Sequence, residues 1–335
     1  MKRILLLIIP VLGLGAGIVG IHYYLGQTKF ERTPLFSEKN PEGFSTSTRK
    51  GSFLNLKNTR FRFKENISLD ITRLTAELIP KGNSSIVNFD DVNSFLIKIA
   101  NGEAYADASV LEVLFKDYVF KFEGSPLKLD KIEMLEGNDN RIRMTGEMNL
   151  FIWLNFEMIG TLSLDKASNN VVITAEDIRA VVPTNSKPIL GMIGLNLEKL
   201  LTIPEGRGIA VKKNQIFVSV FSIIPPPQME GTIGEIAIKN KRMYLKLESP
   251  FEPKFPPPPE PNVKNYLHVF RGEVKFGKLF MVDANMQMID KDQNDPMDFY
   301  LEKYFVTLTS GGSAVINPDQ SVKVYMPDYS DVTGR

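Results

Sequence analysis

The sequence predicts an α+β fold, mostly antiparallel β, built on a long curved sheet. Three observations carry that expectation. From Asn140 to Ile178 the apolar residues Ile142, Met144 and Met148, then Leu162 and Leu164, then Val171 and Ile173 fall on alternate positions, with a turn at Asp165 to Asn170. Between Ile67 and Leu78 the alternation Ile67, Leu69, Ile71 slips to Leu74, Ala76, Leu78, as an extra residue does in a bulge that bends a sheet. Only short stretches repeat at helical spacing, so strands dominate.

Composition sets the limits. The 335 residues, 43% of them hydrophobic, suffice for one large or two ordinary domains with a real core. Lys and Arg (40) balance Asp and Glu (39) to a formal charge of +1, so no global field draws the chain to nucleic acid. Cysteine is absent, which excludes disulfides, thiolate chemistry, iron–sulfur clusters and an acylated-cysteine anchor. The two histidines, His22 and His268, cannot build a multi-histidine metal site. His268 lies in NYLHVFRGEV without nucleophile-elbow glycines and reads as a strand residue. No catalytic constellation is visible, so the chain is read as no enzyme and no cofactor is expected.

Residues 1–26 read as a transmembrane signal-anchor. Lys2 and Arg3 precede an apolar run from Ile4 to Tyr24 that as a helix covers roughly 30 Å, the thickness of a bilayer's hydrocarbon. The basic pair places the N-terminus in the cytoplasm, and Tyr23 and Tyr24 suit the interface. A cleaved signal peptide is the competing reading, from small residues such as Gly13, Ala16 and Gly20. The anchor is preferred because the run outlasts a signal core and no A-x-A site closes it. Residues 27–51 are polar and read as a tether.

Residues 52–249 read as the main curved-sheet domain. Phe61 and Phe63 open the strand signal, and Ile86 to Phe89 and Phe95 to Ala106 continue it. Asp107 is placed to cap a helix in which Val110, Leu111, Leu114 and Tyr118 recur at helical spacing, with Val113 and Phe115 making it apolar nearly all round. Strands resume at Leu127, Leu129 and Ile132 to Leu135. Pro188 opens a second helix with Ile189, Leu190, Ile193, Leu197 and Leu200, loosened by Gly191 and Gly194. Further strands are expected at 209–211, 215–221, 232–238 and 243–247, the last two joined by a turn at Asn240 and Lys241.

The prolines of 249–262 mark 250–264 as a linker, a stiff spacer rather than a ligand for aromatic grooves. Residues 265–335 form a β-rich C-terminal extension, with strands at 266–276, 279–288 and 322–325. FYLEKYFVTLTSGG is a helix stopped by Gly311 and Gly312. Asp290, Asp292 and Asp295 resemble spaced calcium ligands, but a proline follows Asp295 and the loop lacks the sixth-position glycine, so a solvated acidic turn is preferred. The remaining signal is soft and apolar, with 13 Met and 22 Phe. Leu111, Leu114, Phe115, Met144 and Met148 are the first candidates to line a lipid groove. Phe156, Ile193, Leu197 and Phe217 complete the lining, with plain core filling as the bland reading.

From roughly Asn101 to Ser249 the order of features resembles the bacterial periplasmic lipid-binding family that includes the mycobacterial protein supporting lipomannan elongation, related to the tubular lipid-binding (TULIP) domains. The features are the apolar helix after Asp107, TGEMNLFIWLNFEMIGTLSL, ILGMIGLNLEKLL, IPEGRGIAVKKNQIFVSV and PPPQMEGTIGEIAI. The resemblance implies a curved sheet wrapped around one or two apolar helices and a groove for a phospholipid or polyprenyl-type lipid. With the anchor, it gives the expectation of a single-pass protein of the bacterial inner membrane. Residues 4–24 would sit in the bilayer, and the bulk of the chain would handle lipid in the periplasm. The alternative is a structural or adaptor subunit of an envelope complex, with other envelope proteins as partners.

Overall fold

Alternating apolar residues fix which segments become strands, and turn residues fix where they reverse. The computed structural model describes residues 51–137, 139–149, 152–181, 197–250 and 255–333. The expected anchor, the tether up to residue 50, and the helix start at Pro188 with Ile193 lie outside these residues. The chain opens with β1 (Ser52–Lys64), β2 (Ile67–Pro80), β3 (Ile86–Asn88) and β4 (Phe95–Ala106). Helix α1 (Ala108–Val113) continues as a π-helical turn through Val119. Next come β5 (Leu127–Met134), β6 (Arg141–Asn149), β7 (Trp153–Asp165) and β8 (Asn170–Val181), then the single turn α2 (Leu197–Leu200). They are followed by β9 (Ile209–Lys212), β10 (Gln215–Val218), α3 (Val220–Ile223), β11 (Gln228–Glu230), β12 (Ile233–Lys239) and β13 (Arg242–Leu247). The C-terminal part supplies β14 (Tyr266–Phe270), β15 (Glu273–Phe276), β16 (Leu279–Val282), β17 (Asn285–Asp290) and β18 (Met297–Tyr300). A 3-10 turn (Leu301–Lys303), α4 (Tyr304–Thr309), β19 (Ser313–Ile316), β20 (Val322–Met326) and α5 (Tyr329–Thr333) complete it.

These strands make an α+β protein dominated by antiparallel sheet. An 11-stranded sheet runs β12-β13-β4-β2-β1-β14-β17-β20-β19, with β11 beside β4 and β18 beside β1. A six-stranded sheet runs β5-β6-β7-β8-β10-β9, and β16-β15-β3 form a small third sheet. The bulge predicted near Arg73 is present. Thr72 and Arg73 are both exposed between buried Ile71 and Leu74, and the β2–β4 register shifts between Ile71 and Arg73.

The C-terminal strands enter the large sheet beside its first strand. Phe53 to Lys57 of β1 pair antiparallel with β14, and Thr59 to Arg62 pair parallel with β18. The proline-rich stretch does not hold residues 265–335 away from the sheet. Phe255 meets Phe53 edge to face, and Glu260 exchanges two hydrogen bonds with the Gln287 side-chain amide while its carboxylate takes Lys323 and the Tyr325 hydroxyl.

Other boundaries shift for local reasons. The expected strands 266–276 and 279–288 are each broken, because Arg271, Gly272 and Asp283 adopt positive φ where the hairpin leaves the large sheet for the small one. The expected strand 215–221 ends at Val218, and its last residues form α3. Asp107 stands at the start of α1, but its carboxylate pairs with Arg242 (2.6 Å) instead of capping the helix.

Candidate functional site

The inner faces of the two larger sheets meet in a seam that their side chains do not fill. One void of about 40 Å³ lies between Ala106, Met243 and Leu245 of the large sheet and Ile142, Leu162 and Ile173 of the six-stranded sheet. Val110, Leu111, Leu114 and Phe115 of the α1 segment close its third side. A second void of about 30 Å³ continues along β1 and β2, lined by Leu54, Phe63 and Leu74. Both voids are walled by apolar side chains alone and share Leu69, Val220, Ile224 and Leu245. A void of this kind stays dry, because a water inside would lack two to four polar partners.

Beside the second void an open groove of about 600 Å³ faces solvent. Lys81, Asn93, Asn169, Ser222, Gln228 and Glu230 supply its polar side, while Phe221, Ile224 and Met229 line both the groove and that void. Those three side chains therefore form the partition between water and the dry seam. Phe221 rides on α3 and Ile224 follows it directly, whereas Met229 belongs to β11, paired with β4; α3 is a single helical turn whose Ser219 side chain makes no capping bond to the backbone. The Ser219 and Ser222 hydroxyls bond each other at 2.7 Å instead.

Of the residues predicted to line a groove, Leu111, Leu114 and Phe115 border the seam. Met144, Met148 and Phe156 are buried on the inner face of the six-stranded sheet, beyond the first void, and Leu197 is buried in α2. Phe217 points the other way. Its neighbours Ile216 and Val218 take the inner face of β10, leaving the Phe217 ring half-buried outside with the Lys212 ammonium 5.5 Å from its centre. Ile193 lies outside the described residues. Sequence reasoning missed Val220 and Ile224, whose only signal was an apolar run directly before Pro225, and Met229, which follows the three prolines.

The acidic loop forms a different constellation from the one its spacing suggests. Carboxylate oxygens of Asp290, Asp295 and Asp328 lie within 4.8 Å of one another, so Asp328 joins from 30 or more residues away and Asp292 does not. The Asp292 carboxylate instead accepts from Asn294 N (2.9 Å) and Nδ2 (2.8 Å). The Asn265 amide nitrogen donates to Asp290 Oδ2 (3.3 Å) and to the carbonyls of Asp292 (3.2 Å) and Asp295. Burial, reinforced by the Asp328 charge, pushes the Asp290 carboxyl up to about 7. Burial and the charge of Asp295 push Asp328 up to about 6, against the backbone N–H of Asp298. A hard cation suits such oxygens, but the nearest carbonyls are already spent on Asn265, and the cluster works as a hydrogen-bonded tie between β17, β18 and α5.

His268 is fully buried in β14, with Nε2 2.8 Å from Asn285 Oδ1, far in character from an exposed catalytic imidazole. No helix among the described residues is long and apolar enough to cross a membrane. Comparison with known proteins finds no matching family model, no similar curated protein and no similar solved structure.

Proposed function

We propose that this chain is a membrane-anchored, extracytoplasmic lipid-binding protein that holds an acyl or polyprenyl chain between its two larger sheets. One observation carries the reading: a dry apolar seam meets an open polar groove across only three side chains, Phe221, Ile224 and Met229. An amphiphile needs that juxtaposition, with its head group hydrogen-bonded in the groove and its tail out of water. The voids are far smaller than an acyl chain, so entry requires α3, with Phe221 and Ile224, to swing away from Met229 on β11. A single helical turn without a side-chain cap is a small unit, of the size that opens locally. The α1 segment, packed between the sheets, then plays the part of the helix in a TULIP-like wrap. Residues 4–24 would hold the protein at the inner membrane.

The full-length chain, extracted from membranes and stripped of detergent, tests this by lipid mass spectrometry of an organic extract. A bound acyl or polyprenyl lipid close to one per chain is expected. A lipid-free chain that also takes up no fluorescent fatty acid defeats the proposal.

The adaptor reading draws on one observation of its own. Edge strand β19 is paired on one side only and exposes Val315 and Ile316, an invitation to a partner strand. Crosslinking in membranes followed by pull-down separates the two readings.

A further inference from the structure

Two opposite charges border the polar groove without meeting. Lys81, Asn93, Gln228 and Glu230 line it, and none of these four side chains makes a hydrogen bond or ion pair among the described residues. The other polar side chains of the groove are already spent: Asn169 grips Gly231 and Ile233, and Ser222 bonds Ser219. Elsewhere on the large sheet charges pair, as in Arg60–Asp70, Arg73–Glu103, Lys239–Glu235 and Lys246–Glu248. A free ammonium and a free carboxylate on one groove depart from that habit.

The strand register orders these groups. Lys81 N donates to Ser94 O at 2.8 Å, which sets Lys81 beside Asn93 at the start of β4. On the other side of β4, Gln228 stands opposite Leu96 and Glu230 opposite Lys98. Two strand spacings across and four residues along leave the main chains of Lys81 and Glu230 roughly 16 Å apart, a distance their side chains do not close on each other. Lys98 does not line the groove, and its charge opposes the effect of burial on the Glu77 carboxyl. The groove therefore runs from a cation and an amide, past a second amide, to an anion. Ile224 and Met229 line it as well, so a ligand seated there touches the partition of the seam.

We infer that the groove recognises a phosphoethanolamine head group, an assignment that rests on the lipid reading of the seam for the tail. The phosphate accepts from Lys81 Nζ and Asn93 Nδ2, and the primary ammonium donates to the Glu230 carboxylate and Gln228 Oε1. Charge decides between head groups. An anionic head group satisfies Lys81 and leaves Glu230 unpaired beside a second anion, and an uncharged sugar satisfies neither. A trimethylammonium group has no N–H for the Glu230 and Gln228 oxygens and favours aromatic cages. Phe221 is the single aromatic residue lining the groove, too few for a cage.

The full chain is held in micelles of an uncharged detergent with equal amounts of phosphatidylethanolamine, phosphatidylglycerol and phosphatidylcholine that share one pair of acyl chains. Native mass spectrometry then reads the lipid retained after the detergent is released. Phosphatidylethanolamine is expected to be enriched about threefold over each competitor, the worth of one exposed charge pair. Glu230→Lys, at an exposed position, is expected to move the preference to phosphatidylglycerol with an unchanged far-UV spectrum. Lipid retained without preference, or a preference that Glu230→Lys leaves in place, overturns the inference while the lipid reading of the seam stands. A chain that retains none of the three overturns both. Soluble glycerophosphoethanolamine, the same head group without tails, is expected not to displace the lipid at equal concentration. Full displacement assigns the groove to a soluble ligand and overturns the lipid source.

Discussion

The side chain of Asn169 holds the main chain of Ile233. Its Oδ1 accepts from Ile233 N at 2.8 Å, and its Nδ2 donates to Gly231 O at 2.8 Å. Asn140 repeats half of this grip on Ile238, also at 2.8 Å. Both asparagines sit at positive φ, 55° and 50°, where Asn is tolerated and most residues are strained. Two turn residues of one sheet thus occupy outward backbone groups of β12 in the other, and Asn169 and Gly231 also border the polar groove.

This clasp predicts an ordering of variants. Asn169→Gly keeps the backbone relaxed and loses both bonds, costing about 1–2 kcal/mol. Asn169→Ala adds the strain of a Cβ at positive φ, roughly a further 1 kcal/mol. Denaturant unfolding monitored by circular dichroism measures both. A glycine variant as stable as the parent shows that the sheets are held by the seam alone.

Much of the fold was legible because it is local. The alternation through Met144, Met148 and Leu162 gave the β6–β8 meander, and the slip at Arg73 gave the bulge. Asn240 and Lys241 gave a turn in which both residues take positive φ, as a tight hairpin requires. What stayed hidden is pairing across distance. Nothing in the apolar pattern of Leu54 and Leu56 says that Val269 and Leu267 lie opposite them, more than 200 residues on. The partition of the seam was hidden for another reason. Val220, Phe221, Ile223 and Ile224 surround a single Ser222 in a run too short for periodicity to separate a strand from one helical turn.

The Arg62–Asp298 pair ties β1 to β18. Nε meets Oδ1 at 2.5 Å and Nη2 meets Oδ2 at 2.7 Å, with 17% and 5% of the side chains exposed. The hydrogen bonds from Arg62 to Asp298 raise the guanidinium above its ordinary value despite burial. Removing one partner strands a largely buried charge, so Arg62→Met or Asp298→Asn is expected to cost about 3 kcal/mol. The double variant is expected to cost clearly less than the sum of the two. Strict additivity in a double-mutant cycle contradicts the direct coupling.

Asp290 and Asp328 give the C-terminal tie a pH dependence of definite sign. Their folded-state values, about 7 and about 6, lie above the roughly 4 of an unfolded aspartate. The stability they contribute is therefore full below about 4 and is lost as pH rises through about 6 and then 7. Asp70 works oppositely. Burial alone would raise its carboxyl, but the hydrogen bonds and charges of Arg60 and Arg242 bring it below the ordinary value, so its contribution is lost only in acid. Between pH 5 and pH 8 the Tm of the parent chain is expected to fall more than that of Asp290→Asn. Equal slopes refute the assignment.

The seam makes a paired prediction in which stability and binding move apart. Leu114 is 3% exposed and borders the first void, so Leu114→Ala removes three carbons that the surrounding side chains do not replace. The cost is about 2–5 kcal/mol, because the deletion extends a cavity that already fails to collapse. An apolar ligand recovers part of that loss by filling the new space, so the variant is expected to hold an acyl chain more tightly than the parent while unfolding at lower denaturant. Met229→Asp acts at the other end. Met229 lines both the groove and the second void, and an aspartate there places a charge on the entry path while staying within reach of solvent. Uptake of a fluorescent fatty acid is expected to fall for Met229→Asp and to rise for Leu114→Ala, and a binder lodged on the outer faces is indifferent to both substitutions.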